Sequence, residues 1–88
     1  MRYAINRDHV AARTLDGGTV LIHYDTGYYY TLNGTGTFVW ALLSEREMTF
    51  DELAAALARE YARDDNDVTA DLRQHLDELT AEQLLITR

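Results

Sequence analysis

The hydrophobic period changes at Asn33, and that change constrains the fold more than any other feature of the chain. Ahead of it, short alternating segments run Val10 to Leu15, Thr19 to Tyr24 and Tyr28 to Leu32, separated by Asp16-Gly17-Gly18 and Asp25-Thr26-Gly27. Alternation over a handful of residues, bounded by Asp-Gly and Gly turns, reads as three strands in an antiparallel meander. Val20, Ile22, Tyr28, Tyr29, Tyr30 and Thr31 suit such a pleated, half-buried surface. After Leu32, Asn33 offers a helix N-cap, and Phe38, Val39, Trp40, Leu42 and Leu43 follow too densely for a strand. Strands first and helices afterwards, without alternation of the two, indicate a segregated α+β architecture.

Three helices fit the remainder. The first carries Gly34 and Gly36, which weaken helicity but permit close backbone approach, so it must rely on packing by Trp40 and its neighbours; it ends near Ser44 to Glu47. The second opens on a capping box, Thr49-Phe50-Asp51-Glu52, and repeats apolar residues at Phe50, Leu53, Leu57 and Tyr61. Asp64-Asp65-Asn66-Asp67 then breaks the pattern with turn and cap residues, and Val68, Leu72, Leu76 and Leu79 mark a third amphipathic helix ending near Ala81. Met1 to His9 reads either as a short extra strand or as an arm. Leu84-Leu85-Ile86 reads as an apolar tail folded back on the core, with or without a final strand. The expected architecture over residues 1–88 is one domain, a three-stranded antiparallel sheet followed by three helices. One edge strand of that sheet is expected to remain open, with unpaired backbone donors and acceptors.

The composition excludes several chemistries. Hydrophobic residues make up 47% and charged residues 26% of 88 positions, an ordinary globular mix. With no Cys there is no disulfide framework, thiolate nucleophile or thiolate metal site. The opening residues lack a signal-peptide pattern and no apolar run is long enough to span a bilayer, so a cytoplasmic protein without membrane contact is expected. The formal net charge of −7 repels a phosphate backbone, so nucleic acid is not an expected partner; a cationic peptide is attracted by the same field, and acidity also simply keeps proteins soluble.

His9, His23 and His75 share no ligand spacing, the Asp64 to Asp67 run lacks the Gly and distal Glu of a calcium loop, and Ser44, the only serine, has no activating neighbour. Gly34 and Gly36 open a helix after a strand, but the third Gly and the Lys of a phosphate loop are missing. No catalytic residue, metal or cofactor is expected. Asp71, Asp77 and Glu78 read as a solvated helix face, and His75 as a boundary side chain with one ring nitrogen satisfied. Three successive tyrosines place rings on both faces of the last strand; an inward Leu32 puts Tyr28 and Tyr30 on the helix-facing side and Tyr29 opposite.

Val20-Leu21-Ile22, a Gly turn, Tyr29-Tyr30-Thr31-Leu32-Asn33-Gly34-Thr35-Gly36, Val39-Trp40 and Leu43 together resemble the PqqD-like family, and Phe50-Asp51-Glu52-Leu53, Tyr61, Asp71-Leu72 and Leu79 fit it too. The resemblance spans residues 10 to 86, and its most specific part is the aromatic-Leu-Asn-x-x-Gly junction before the apolar first helix. It implies a fold similar to a winged helix and a role as a recognition element for ribosomally made, post-translationally modified peptides. It also implies that a precursor's leader adds as an antiparallel strand beside Tyr28, Tyr29, Tyr30, Thr31 and Leu32, facing a wall of Val68, Leu72, His75, Leu76 and Leu79 flanked by Asp71 and Arg73. Tyr28, Tyr30, Leu72 and Leu76 are the expected pocket.

Within the family, the chain is most similar to the discrete leader-binding proteins of lasso-peptide biosynthesis, which work with a separate leader peptidase. A PqqD-type peptide chaperone for a radical-SAM enzyme in quinone-cofactor biosynthesis is the alternative. A winged-helix nucleic-acid-binding module would need a basic recognition face that the third helix lacks. Gln83 stands where the family usually has Gly before the closing apolar residues.

Overall fold

A computed structural model describes residues 1–61 and 65–88. In chain order it contains β1 (Tyr3–Ile5), β2 (Val10–Leu15), β3 (Gly18–His23), β4 (Tyr29–Asn33), α1 (Gly34–Glu45), α2 (Phe50–Tyr61), α3 (Asp65–Ala81) and β5 (Leu85–Thr87). The meander is present as a three-stranded antiparallel sheet in the order β2-β3-β4. Asp16-Gly17 closes the first hairpin in two residues, with Gly17 at φ 82° as a tight Asp-Gly connection requires. The second connection is longer: the His23 N–H donates to the Tyr28 carbonyl at 3.1 Å and the Gly27 N–H to the His23 carbonyl at 2.8 Å.

The helices cover the sheet face that carries Thr19, Leu21, His23 and Leu32, all buried, whereas Val20 and Ile22 on the other face are only half-buried. Leu21, Leu53, Leu76 and Leu84 sit at the centre of the core without measurable exposure. The first helix is anchored by packing, as its two glycines require: Gly36, Val39, Trp40 and Leu43 are its buried residues. Its last carbonyls are taken by Arg7, whose Nη2 donates to the Ser44 oxygen at 2.7 Å and to the Leu43 oxygen at 3.4 Å.

The capping box of α2 is formed in both directions: the Glu52 N–H donates to Thr49 Oγ1 at 3.2 Å, and the Thr49 N–H to Glu52 Oε1 at 2.9 Å. That backbone bond, followed by the Arg46 guanidinium, holds the Glu52 carboxyl down at about 2. Of the run expected to cap the third helix, Asp64 lies outside the described residues, and α3 begins at Asp65. At the other end α3 closes in a Schellman turn: Gln83 N–H donates to the Thr80 oxygen, Leu84 N–H to the Leu79 oxygen, and Gln83 takes φ 61°. Gln83 therefore occupies the left-handed position that the family's Gly would fill without strain.

The two segments left open by the sequence both become strands. Tyr3, Ala4 and Ile5 pair with Thr87, Ile86 and Leu85 in a separate two-stranded sheet, and Tyr3 also bridges Met48. Among the described residues no helix is long and apolar enough to cross a membrane.

Candidate functional site

The alternation of hydrogen bonds in an antiparallel ladder determines which groups β4 leaves free. Tyr28 bonds to His23, and the register pairs Leu21 with Tyr30 and Val20 with Thr31. Tyr30 and Leu32 therefore turn their backbone groups towards β3, and Tyr29 and Thr31 turn theirs outward, along an edge with no strand beside it among the described residues.

Beside that edge stands α3, and between them runs a groove made of two adjoining cavities. The first, about 320 Å³, is lined by Thr31, Leu32, Thr35, Gly36, Leu57, Tyr61, Val68, Asp71, Leu72 and His75. The second, about 360 Å³, is lined by Tyr30, Thr31, Leu32, His75, Glu78, Leu79 and Glu82. Thr31, Leu32 and His75 belong to both, so the groove is continuous along β4. Its ends differ in chemistry: Leu57, Tyr61, Val68 and Leu72 make one end mainly apolar, and Glu78 and Glu82 make the other acidic.

Two contacts set the spacing across the groove. His75 packs so closely on Gly36 that a Cβ there would stand 3.2 Å from His75 Cε1 and 3.3 Å from Nε2. Among the described residues this buried Nε2 has no hydrogen-bond partner, and burial pushes the imidazole pKa down, against a smaller opposite pull from Glu78. Burial thus favours the neutral form of the His75 ring, and the satisfied nitrogen expected of it is not the one against Gly36. At the acidic end the Tyr30 hydroxyl donates to Glu82 Oε2 at 2.8 Å, and that bond is the main reason the phenol pKa lies above its ordinary value.

Most expected site residues come together here: Tyr30, Thr31 and Leu32 from β4, and Val68, Asp71, Leu72, His75 and Leu79 from α3. Four do not line the groove. Tyr28 stands one residue before β4, where its carbonyl closes the turn onto His23, and it is 64% exposed. Tyr29 lies on the edge with its ring 72% exposed on the outer face. Leu76 points from α3 into the core with no exposure, and the Arg73 guanidinium lies over the Phe50 ring, 4.0 Å from its centroid. Both corrections follow from helical geometry, since residues 68, 72, 75 and 79 form one stripe and Leu76 and Arg73 fall to its sides.

The groove residues that sequence reasoning did not place there are Thr35, Gly36, Leu57, Tyr61, Glu78 and Glu82. Leu57 and Tyr61 were visible as the apolar stripe of α2; nothing local signals that Glu82 meets Tyr30. Elsewhere, His9 and His23 stack with ring centroids 6.2 Å apart and His9 pairs with Asp25 at 2.9 Å, although neither histidine lines the groove. Among the described residues no group of His, Asp and Glu is arranged to hold a metal ion.

No curated protein matches the chain. A solved structure described as "TbiB1 in Complex with the TbiA(beta) Leader Peptide" superposes with a TM-score of 0.86 and 34% identity, covering 97% of this chain and 96% of that one. The profile of the family described as "Coenzyme PQQ synthesis protein D (PqqD)" matches residues 18–85, from the start of β3 to the start of β5, and by that match the chain belongs to the PqqD family.

Proposed function

We propose that this chain is a single, non-catalytic peptide-recognition domain of the cytoplasm, which captures the leader segment of a ribosomally made precursor by strand addition along β4. It presents that leader to a separate processing enzyme, a leader peptidase in lasso-peptide biosynthesis. The observation that carries the reading is the outward-facing backbone of Thr31 at the centre of an unpaired edge, flanked by a groove deep enough for side chains. The similar protein TbiB1, solved with a leader peptide, supports it.

The energetics suit this mode. Each added main-chain hydrogen bond contributes about 0.5 to 1.5 kcal/mol net, so a few of them supply affinity without reading sequence. Selectivity then falls to side chains that enter the groove. One apolar or aromatic residue fits against Leu57, Val68 and Leu72, and the acidic end favours a cationic residue near Glu78. Presentation follows from the geometry of strand addition, since alternate leader side chains face away from the groove and stay available to the enzyme.

The test is titration of the labelled chain with synthetic leader peptides from precursor genes neighbouring its own, with duplex DNA and scrambled leaders as controls. Saturable binding at micromolar concentration or tighter, with no response to either control, is expected. Absence of binding by every leader, or sequence-specific binding of the duplex, sinks the reading.

A further inference from the structure

We infer that Asn6, the Glu82-Gln83 turn and Tyr30 form a buttress that fixes the acidic end of the groove, which makes Asn6 and Tyr30 positioning residues for peptide capture. This rests on the leader-binding reading above.

The two walls of the groove are held by different means. β4 is fixed by its ladder to β3, whereas the end of α3 hangs on the Schellman turn that leads into β5. That turn holds a non-glycine residue, Gln83, at φ 61°, a conformation that costs free energy and needs outside support. Asn6 supplies it twice: its Nδ2 donates to the Gln83 oxygen at 2.8 Å and its N–H to the Leu84 oxygen at 3.1 Å. Glu82, immediately before Gln83, then reaches across the second cavity and accepts the Tyr30 hydroxyl at 2.8 Å. The contacts thus run without a gap from Asn6, through the end of α3, to the edge strand where the peptide would lie.

Tyr30 and Glu82 border the second cavity, and two features make their contact a positioning device as well as part of its lining. Asn6 lines neither cavity of the groove, and it falls outside residues 18–85, the part matched by the family profile. The Tyr30 ring, half-buried and packed against the core, is held at its free end only through Glu82 among the bonds described. With that bond broken, the ring is free to turn into the cavity it borders, and Glu82 no longer ties the end of α3 to β4. A peptide strand then meets an unprepared site, and ordering it lowers the affinity.

The test uses the full chain with the synthetic TbiA(beta) leader as probe, and amide hydrogen exchange on the free chain. Tyr30→Phe and Glu82→Ala are each expected to weaken binding about fivefold, the effect of one hydrogen bond, and the double variant no more than either alone. Glu82→Gln keeps an acceptor oxygen and should recover part of the affinity lost in Glu82→Ala. Asn6→Ala should weaken binding about threefold. In the free chain, Tyr30→Phe and Asn6→Ala should each speed exchange of the Gln83 and Leu84 amides several-fold, an effect that Glu82→Gln should lack. Additive losses in the double variant, or unchanged exchange at these amides in Tyr30→Phe, overturn the buttress. If the parent chain fails to bind the probe, the leader-binding reading is weakened, and the exchange measurements still decide the buttress.

Discussion

Among the described residues the sheet has two free edges, and one of them has become a groove. On β2, the ladder leaves Ala12 facing outward in the same way that β4 leaves Thr31. The recess beside β2 is about 170 Å³ and is lined by Ile5, Arg7, Val10, Ala12, Trp40 and Ser44. Arg7 crosses it, committed to the last carbonyls of α1, and Arg13 sets a charge in the middle of the strand, a common defence against unwanted pairing. Beside β4, among the described residues, no arginine crosses the gap: the Tyr30 to Glu82 bond spans one end of it, the apolar stripe of α3 leaves Val68, Leu72 and Leu79 at its side, and Tyr30-Thr31-Leu32 carries no charge. An unpaired edge is thus not a binding site by itself. It becomes one when a second wall stands beside it at the distance of a peptide's side chains.

The comparison is most sharply tested by a matched pair of prolines. Thr31→Pro removes an outward N–H and adds bulk on the groove edge, so leader affinity should fall by at least about tenfold with the far-UV spectrum unchanged. Ala12→Pro makes the same change on the other edge and should leave affinity within about twofold; equal losses from both would dissolve the distinction between the edges.

Next in size, Arg7→Ala should lower unfolding stability by about 1 kcal/mol in denaturant titration, because the end of α1 loses its donor, while leader affinity stays unchanged. A smaller effect comes from His75. Burial lowers its folded-state pKa below 6.5, so between that value and 6.5 the unfolded chain binds more protons, and stability must fall as the pH drops through this window. Thermal melts from about pH 7.5 to pH 5 should show a steeper decline in the parent than in His75→Gln. The smallest expected change is a gain: Gln83→Gly should raise stability by about 0.5 kcal/mol by relieving the left-handed residue.

What could be read from the sequence was what local physics determines. The change of period at Asn33, the Asp16-Gly17 turn and the Thr49 to Glu52 capping box each depend on residues a few positions apart, and each became the expected element. The stripe of α3 was legible for the same reason. The departures came at the borders of the stripe, where Leu76 turns fully to the core and Arg73 settles on the Phe50 ring of α2. The tyrosine run carries no mark of where the turn ends, and β4 begins at Tyr29, one residue after the expected start. The β1 and β5 strands are three residues each and owe their existence to one another across the whole chain, and the Tyr30 to Glu82 bond likewise joins positions that no local pattern connects.

The pairing of β1 with β5 brings Arg2 and Arg88 into mutual hydrogen bonding at 2.9 Å, while neither residue lines the groove. A chain joined to either end would leave the molecule from the same corner. The same closeness makes the backbone nearly a closed ring: a short linker could join residues 1 and 88, with new ends opened in the exposed Asp16-Gly17 hairpin. Such a permuted protein should keep its edge strand and its groove, because the order in which these elements are linked has little bearing on the geometry that holds them.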